Sequence, residues 1–498
     1  MRLRLIPKLD ADVIVAGAGP AGATVALQLA RTGVDVLLVD RERFPRDKVC
    51  GDFVGPVALR VLERLGLGDD LQSQAPNLIK DAALFLDGNH LLTSPFPRFA
   101  DLPPFGTTLP RLALDEVTFR AATRAGVRVI EEHAVVAYDV EPDVIRVLVR
   151  GKGGTSSLTA RLLVGADGSS STIAAILRGA RSARADRIIA VRAYYEGVSG
   201  PSDRADLYFT ELSFPGYCWV FPTSATSANV GVGMVLETIP PTTEHLRDTL
   251  LHLVETDAAL RRRLSDAHLV GKIVGWPLAT YNARLPITAD RVILIGDAAG
   301  LINPLNGEGI QYALQSAGWA AEVISSCLRS GDASRAGLAP YADRVAVELT
   351  YDMALARLLV RAISNRTLNP IWLRALRAIA SRARHDPEYG WVTGAVLAGL
   401  APARDVLSLR VISGTVEEGV ANLLLDSFIE VLRGPARVRA DVRASALTIS
   451  QIAYENLRRP LATTKWAVDV GIAAAELLAE ASKALIAGRR NQNSRSTM

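Results

Sequence analysis

The segment Gly17-Ala18-Gly19-Pro20-Ala21-Gly22 sets glycines at its first, third and sixth positions, between an apolar run ending at Ala16 and an Ala/Leu-rich helical pattern. That spacing permits a tight turn and lets backbone N–H groups approach a pyrophosphate at the positive end of the following helix. Asp40 closes the next apolar run, VDVLLVD, 23 residues beyond Gly17. There its carboxylate can accept hydrogen bonds from a ribose. Gly17, Gly19, Pro20, Ala21, Gly22 and Asp40 together imply a bound dinucleotide.

Five further clusters carry chemistry. Lys48-Val49-Cys50-Gly51-Asp52 sets a thiol at the end of a polar, proline-containing loop that starts at Arg41. Asp167-Gly168 and Gly296-Asp297 each follow an apolar strand-like run. Asn303-Pro304-Leu305-Asn306-Gly307-Glu308-Gly309-Ile310 opens a helical pattern that continues to about Leu328. Glycines at a helix start leave free N–H groups beside a positive dipole end. In Phe214–Pro222, FPGYCWVFP, the residues Tyr217, Trp219 and Phe221 alternate to one face of a strand. Such a flat aromatic wall can bound a long apolar cavity; a core stripe is the plainer alternative.

Stepping out to the elements, residues 11–40 read as a βαβ unit. Short strands are expected at Ala82–Leu86, Val127–Ile130, Val144–Val149 and Arg161–Val164, and strong period-two alternation from Ile188 to Leu236 reads as an antiparallel sheet. Helices follow at His245–Leu264, a buried strand at Arg291–Ile295, and an almost wholly helical pattern from about Tyr341, with Arg489–Met498 as an unstructured polar tail. The fold class is α/β. A Rossmann-like nucleotide domain is expected from 1–75, 106–182 and 283–344, an antiparallel substrate domain from 76–105 and 183–282, and a C-terminal helical region from 345–498.

With 498 residues, 49% of them hydrophobic and 22% charged, the chain can bury two or three cores. The net charge of +4, from 49 arginines and seven lysines against 52 acids, implies no nucleic-acid partner. Cys50, Cys218 and Cys327 form no CxxC pair, so neither a disulfide framework nor a metal site is expected, which fits a reduced, cytoplasmic protein. Neither a leader-like apolar region nor a window of spanning length is seen, so at most a peripheral membrane contact is expected.

In their order, the glycine motif, Asp167-Gly168 and Gly296-Asp297 resemble the flavoprotein family of p-hydroxybenzoate hydroxylase and geranylgeranyl reductase, over roughly residues 10–345. The resemblance implies bound FAD. It assigns Asp297 to the ribityl chain and Asp167 to the neighbourhood of the pyrophosphate. Gly307, Gly309 and Ile310 would meet the flavin N1/O2 edge, where reduced flavin carries negative charge. Arg41, Cys50, Gly51, Arg111, Gly296 and the backbone at Val135 complete the implied FAD contacts.

Two segments resemble the reductase branch. Tyr217–Pro222 matches its YxWxFP signature, which makes Tyr217, Trp219 and Phe221 the implied substrate wall. Lys48–Asp52 resembles its KxCGG loop, with Asp52 where that pattern has glycine. Cys50 would then supply or relay the proton that completes alkene reduction, or simply shape the cavity. Flavin-dependent halogenases carry WxWxIP instead, and aromatic hydroxylases generally lack both segments. The activity implied is saturation of C=C bonds in an isoprenoid chain, with an apolar small molecule or lipid as substrate. A monooxygenase acting on an apolar metabolite is the alternative, and a non-redox cyclase a third class. Gly231–Met234 lies inside a strand-like run, so no second nucleotide domain is expected, and electrons would come from docked NAD(P)H or from ferredoxin. The helices after 345 could extend the cavity, form a homodimer, lie on a membrane or pack as a plain layer.

Overall fold

The run Val13–Ala16 forms an inner strand of a six-stranded sheet, parallel to Val36–Val39 on one side and Leu162–Gly165 on the other. These assignments come from a computed structural model, which describes residues 9–180, 183–240, 245–397, 399–400, 454, 458 and 460–495. Arg128–Ile130 closes one edge; Val292–Leu294 and the short antiparallel Thr288–Ala289 close the other. The three central strands are buried along their whole length, which is why they read as continuous apolar runs rather than as alternation.

Helix Pro20–Arg31 starts on a proline at its first turn, where the missing N–H costs nothing. It packs against helices Arg111–Arg124 and Ile310–Ser330. Gly17 turns at φ +97, and a Cβ at Gly22 would stand 1.8 Å from Gly17 O, so no side chain is tolerated at this crossing. A three-stranded antiparallel sheet, Ala134–Val140, Ile145–Gly151 and Gly154–Ala160, lies beside this layer.

The alternating segments build a separate seven-stranded sheet. Its order is His268–Ala279, Arg187–Glu196, Ser227–Val235, Tyr217–Pro222, Arg204–Phe209, Asp81–Leu86 and Asn89–Pro95. All neighbours are antiparallel except Arg204–Phe209 with Asp81–Leu86. All seven strands fall within 76–105 and 183–282.

The helical C-terminal region comprises Arg335–Ile363, Asn369–His385, Pro387–Leu397 and Pro460–Arg495; most of 401–459 lies outside the described residues. The last helix runs into the stretch expected to be an unstructured tail and ends only at Arg495. Helix propagation adds residues at little cost once an Ala/Leu-rich segment has nucleated, which accounts for the difference. Among the described residues no helix is long and apolar enough to cross a membrane.

Charge ties the helical region to the rest. Asp186 accepts from Arg361 Nη2 at 3.0 Å and from Asn282 Nδ2 at 2.8 Å, and pairs with Arg357 Nη2 at 3.2 Å. Trp466 Nε1 donates to Arg361 O at 2.9 Å and docks the last helix. Asp186 and Arg361 are both buried, and Asp186→Ala removes the acid shared by two guanidiniums, leaving Arg361 paired with Glu237 at 3.3 Å and Arg357 with Glu476 at 3.7 Å. The expected loss is about 1.5–3 kcal/mol by urea denaturation, as for lost hydrogen bonds to charged groups. Wild-type stability in that variant would show that the pairing does not hold the helices in place.

Candidate active site

Helix Pro20–Arg31 begins at Gly19 without a capping side chain, so its first N–H groups are available to an anionic or carbonyl group. Helix Ile310–Ser330 begins at Gly309, where the Glu308 carboxylate already receives Gln311 N at 3.1 Å. The cradle beside them is open. A Cβ at Gly19 would meet only Arg46 Nη2, at 3.5 Å, and one at Gly307 would meet nothing within 4 Å. Asp40 stands at the end of its strand, Oδ2 accepting from Ala18 N at 2.6 Å and Oδ1 from Glu42 N at 2.9 Å. Its carbonyl accepts from His133 N at 2.9 Å, which brings the strand carrying Val135 alongside. Donors free at the Gly19 helix start, an acid at the strand end and room at two glycines fit an FAD.

The other expected nucleotide residues fall into two groups. Asp167 lies against Gly17, but its carboxylate is turned to the helix Thr172–Arg178. It accepts from Ser171 Oγ at 2.5 Å and from Thr172 N at 2.7 Å. Arg41 is exposed and stacks over the Trp276 ring at 5.5 Å. These two residues, with Asp40 and Val135, lie outside the cavity described next. Pro20, Cys50, Gly51, Arg111, Asp297, Gly307, Gly309 and Ile310 all line it.

That cavity is about 420 Å³. At one end, Asp297 Oδ2 receives Lys48 Nζ at 3.1 Å and Ser169 Oγ at 3.2 Å. Burial pushes the Asp297 carboxyl up, but Lys48, Arg111 and Ser169 outweigh it and hold the group below its ordinary range. Gly296 turns the chain just before it, its N–H donating to Ser316 Oγ at 3.0 Å. Arg111 is buried, with Nε 2.6 Å and Nη2 2.8 Å from the two oxygens of Asp115.

On the opposite side stand Tyr217, Trp219 and Phe221. Their rings follow one another at 6.2 Å and 6.0 Å between centroids, and Phe53 continues the row 5.6 Å from Phe221. Trp219 faces Gly231 across the sheet, and Tyr217 faces Gly233. A Cβ at Gly231 would stand 2.3 Å from Trp219 Cζ2, so the missing side chain is what lets the indole lie flat. Trp219 Nε1 donates to Asn229 Oδ1 at 3.0 Å, and Tyr217 OH to Asn306 O at 2.5 Å. Gly51 completes the junction: its Cβ would lie 3.2 Å from Phe221 Cε2. At the far end the cavity meets the C-terminal helices, where Leu376, Ile379, Ala380 and Ala383 present one face and Thr393 and Gly394 another.

Two groups on the cavity wall can hold a proton near neutral pH. Burial pushes the Cys50 thiol up, with the Arg111 charge opposing. Burial likewise pushes the Glu308 carboxyl up to about 7, against N–H groups of Gln311 and Ile310. The sequence reading passed over Glu308, Asn229 and the Gly231/Gly233 bed. Glycines at alternate positions in a strand were the available signal for the bed, because they mark where another group must lie close.

Comparison with known proteins accords with this geometry. The sequence profile of a family described as FAD binding domain matches residues 10–348. The menaquinone reductase of Mycobacterium tuberculosis is 32% identical over 404 residues, covering 77% of this chain and 94% of that protein. A digeranylgeranylglycerophospholipid reductase of Methanosphaera stadtmanae is 27% identical over 345 residues, 67% of this chain and 82% of that one. Among solved structures, a geranylgeranyl bacteriochlorophyll reductase-like protein of Thermoplasma acidophilum has a TM-score of 0.64 at 24% identity, covering 71% of this chain and 88% of that one; it shares the fold.

The packing of Trp219 sets a graded expectation. Trp219→Phe keeps a ring on the glycine bed but strips Asn229 Oδ1 of its donor, a loss of about 1–3 kcal/mol. Trp219→Ala also removes a buried indole and should lose on the order of 3–5 kcal/mol. Denaturant melts of the FAD-loaded protein measure both. Equal stability of the two variants would mean that the indole is not seated as described.

Proposed function

We propose that this chain, which belongs to the FAD binding domain family and is an FAD-dependent oxidoreductase, acts as a member of the geranylgeranyl reductase branch and saturates C=C bonds in the isoprenoid chain of a lipid or quinone. One observation carries the reading. A single apolar cavity runs from the flavin-facing residues Pro20, Asp297 and Gly309 to the ring row of Tyr217, Trp219 and Phe221, and on to the C-terminal helices. A long hydrocarbon chain suits such a volume, since burying it releases roughly 25 cal/mol per Å² of apolar surface. The relatives, a menaquinone reductase and a digeranylgeranylglycerophospholipid reductase, have a polyprenyl lipid in common.

When bound, FAD supplies a hydride at its N5. The rest of the task falls to this chain. An unactivated alkene accepts hydride poorly, so it must be held close, in one orientation, away from water. The aromatic row gives it a flat, rigid surface, and Leu376, Ile379 and Ala380 enclose the chain beyond. The positive end of the helix that starts at Gly309 offsets negative charge at the end of the bound cofactor that faces it, with the Glu308 carboxyl accepting from its first turn. The second carbon of the double bond needs a proton. The Cys50 thiol and the Glu308 carboxyl are the two cavity groups suited to hold one, both shifted up by burial. NAD(P)H or a ferredoxin is the proposed electron source.

Anaerobic incubation of the FAD-loaded full chain with a polyprenyl naphthoquinone and either donor tests this by mass spectrometry. The expected product is heavier by two hydrogens for each bond saturated. Cys50→Ala and Glu308→Gln separate the proton sources, the true donor losing on the order of a hundredfold in rate. A product carrying added oxygen once air is admitted, or an isomer of unchanged mass, would replace the reductase reading with a monooxygenase or a cyclase.

A further inference from the structure

Asp52 occupies the position at which the KxCGG pattern has glycine, and it adopts φ +63, a conformation that side chains other than Asn and Asp rarely tolerate. It is fully buried and yet does not line the cavity. A buried carboxylate is costly unless donors surround it. Here they do. Tyr194 OH donates to Oδ2 at 2.6 Å, Asn229 Nδ2 to the same oxygen at 2.7 Å, and Arg111 N approaches Oδ1 at 3.3 Å.

The Asn229 amide is the branch point. Its Nδ2 also donates to Cys50 O at 2.8 Å, and its Oδ1 accepts the Trp219 indole N–H at 3.0 Å. One side-chain amide thus joins the loop on the flavin side to the ring row on the substrate side. Its orientation is fixed by its partners: Oδ1 must face the indole donor, and Nδ2 must face acceptors. Asp52 is the acceptor that only a side chain could add.

We propose that Asp52 is a positioning residue for the reaction in this cavity: its carboxylate orients Asn229, and through it sets the Cys50–Gly51 turn and the Trp219 indole at one fixed separation. This rests on reading the cavity as the site of reduction. The charged and titratable groups facing Asp52 are Arg111 and Cys50 on the flavin side and Arg192 and Tyr194 on the sheet; Arg192 is itself paired with Asp47. Burial pushes Asp52 up to about 6, against the hydrogen bonds from Tyr194 and Asn229 and the charges of Arg192 and Arg111. All three hydrogen-bonding neighbours donate to it, so the ionised form fits the shell. Once protonated, Asp52 carries an O–H that, of these three, only the Tyr194 hydroxyl can accept, and the hold on Asn229 slackens. The link is therefore intact above about pH 6 and loosened below it.

The test uses the FAD-loaded full chain and two readouts. The first is the near-ultraviolet circular dichroism of Trp219, obtained by subtracting the Trp219→Phe spectrum, followed from about pH 4 to 8, roughly two units on each side of the expected midpoint. The second is kcat with a polyprenyl naphthoquinone. The wild-type indole signal should titrate near pH 6, as Asp52 does. Asp52→Asn and Asp52→Gly should abolish that titration and lower kcat on the order of tenfold with FAD content unchanged. Tyr194→Phe, which keeps the carboxylate but removes a donor to its charged form, should move the midpoint upward. An unaltered titration in Asp52→Asn would overturn the proposal, as would loss of FAD with the indole signal intact. The optical arm needs no substrate, so it decides the role of Asp52 even where no quinone is turned over, an outcome that counts against the function alone.

Discussion

Helices leave their first N–H groups without partners, and most cover them with a capping side chain or expose them to water. Here Pro20–Arg31 starts at Gly19 without a cap, while Ile310–Ser330 starts at Gly309 with the Glu308 carboxyl on Gln311 N; the two helices pack along each other and bring both starts to one cleft. The absence of side chains at Gly17 and Gly22 allows the first helix its close approach to the strand. Everything else at the site follows from that arrangement. Asp40 and Asp297 stand at strand ends beside these donors, and the seven-stranded sheet carries a hydrophobic wall to the same opening.

The sheet solves a different problem, which is how to keep a large aromatic surface flat. Trp219 has an indole that would project from a normal strand, and Gly231 opposite it removes the obstruction. The wall is then pinned at two points, by Tyr217 to Asn306 before the helix Ile310–Ser330 and by Trp219 to Asn229 within the sheet. The first pin crosses between the two layers, and Asn229 makes the second crossing through its bonds to Cys50 O and Asp52. The separation of the two layers at the cavity is therefore set by side-chain hydrogen bonds as well as by backbone packing.

Much of the architecture was legible in the sequence because its signals are local. The βαβ unit, the strand before Asp297 and the alternation of Tyr217, Trp219 and Phe221 each depend on residues within a few positions of one another. What stayed hidden depends on contacts between distant segments. Asp52 reads as a departure from a glycine pattern, and only its meeting with Tyr194 and Asn229, more than 140 positions away, gives the change a reason. Asp167 reads as a residue beside the pyrophosphate; it stands against Gly17, and its carboxylate also accepts from Ser171 and Thr172 at the start of the next helix. The C-terminal helices offer an apolar face that periodicity alone cannot aim. The fold turns Leu376, Ile379 and Ala380 toward the cavity.

The central claim is that a reducing equivalent passes directly from the flavin to an apolar chain held against the aromatic row. Anaerobic single turnover tests it most directly: the FAD is reduced with one equivalent of dithionite, excess reductant is removed, and a polyprenyl naphthoquinone whose ring is already reduced is mixed in while the flavin absorbance is followed. The account predicts that the yellow oxidised spectrum returns without oxygen, with one double bond saturated per flavin. A flavin that stays reduced until air is admitted, and only then yields product, would contradict it.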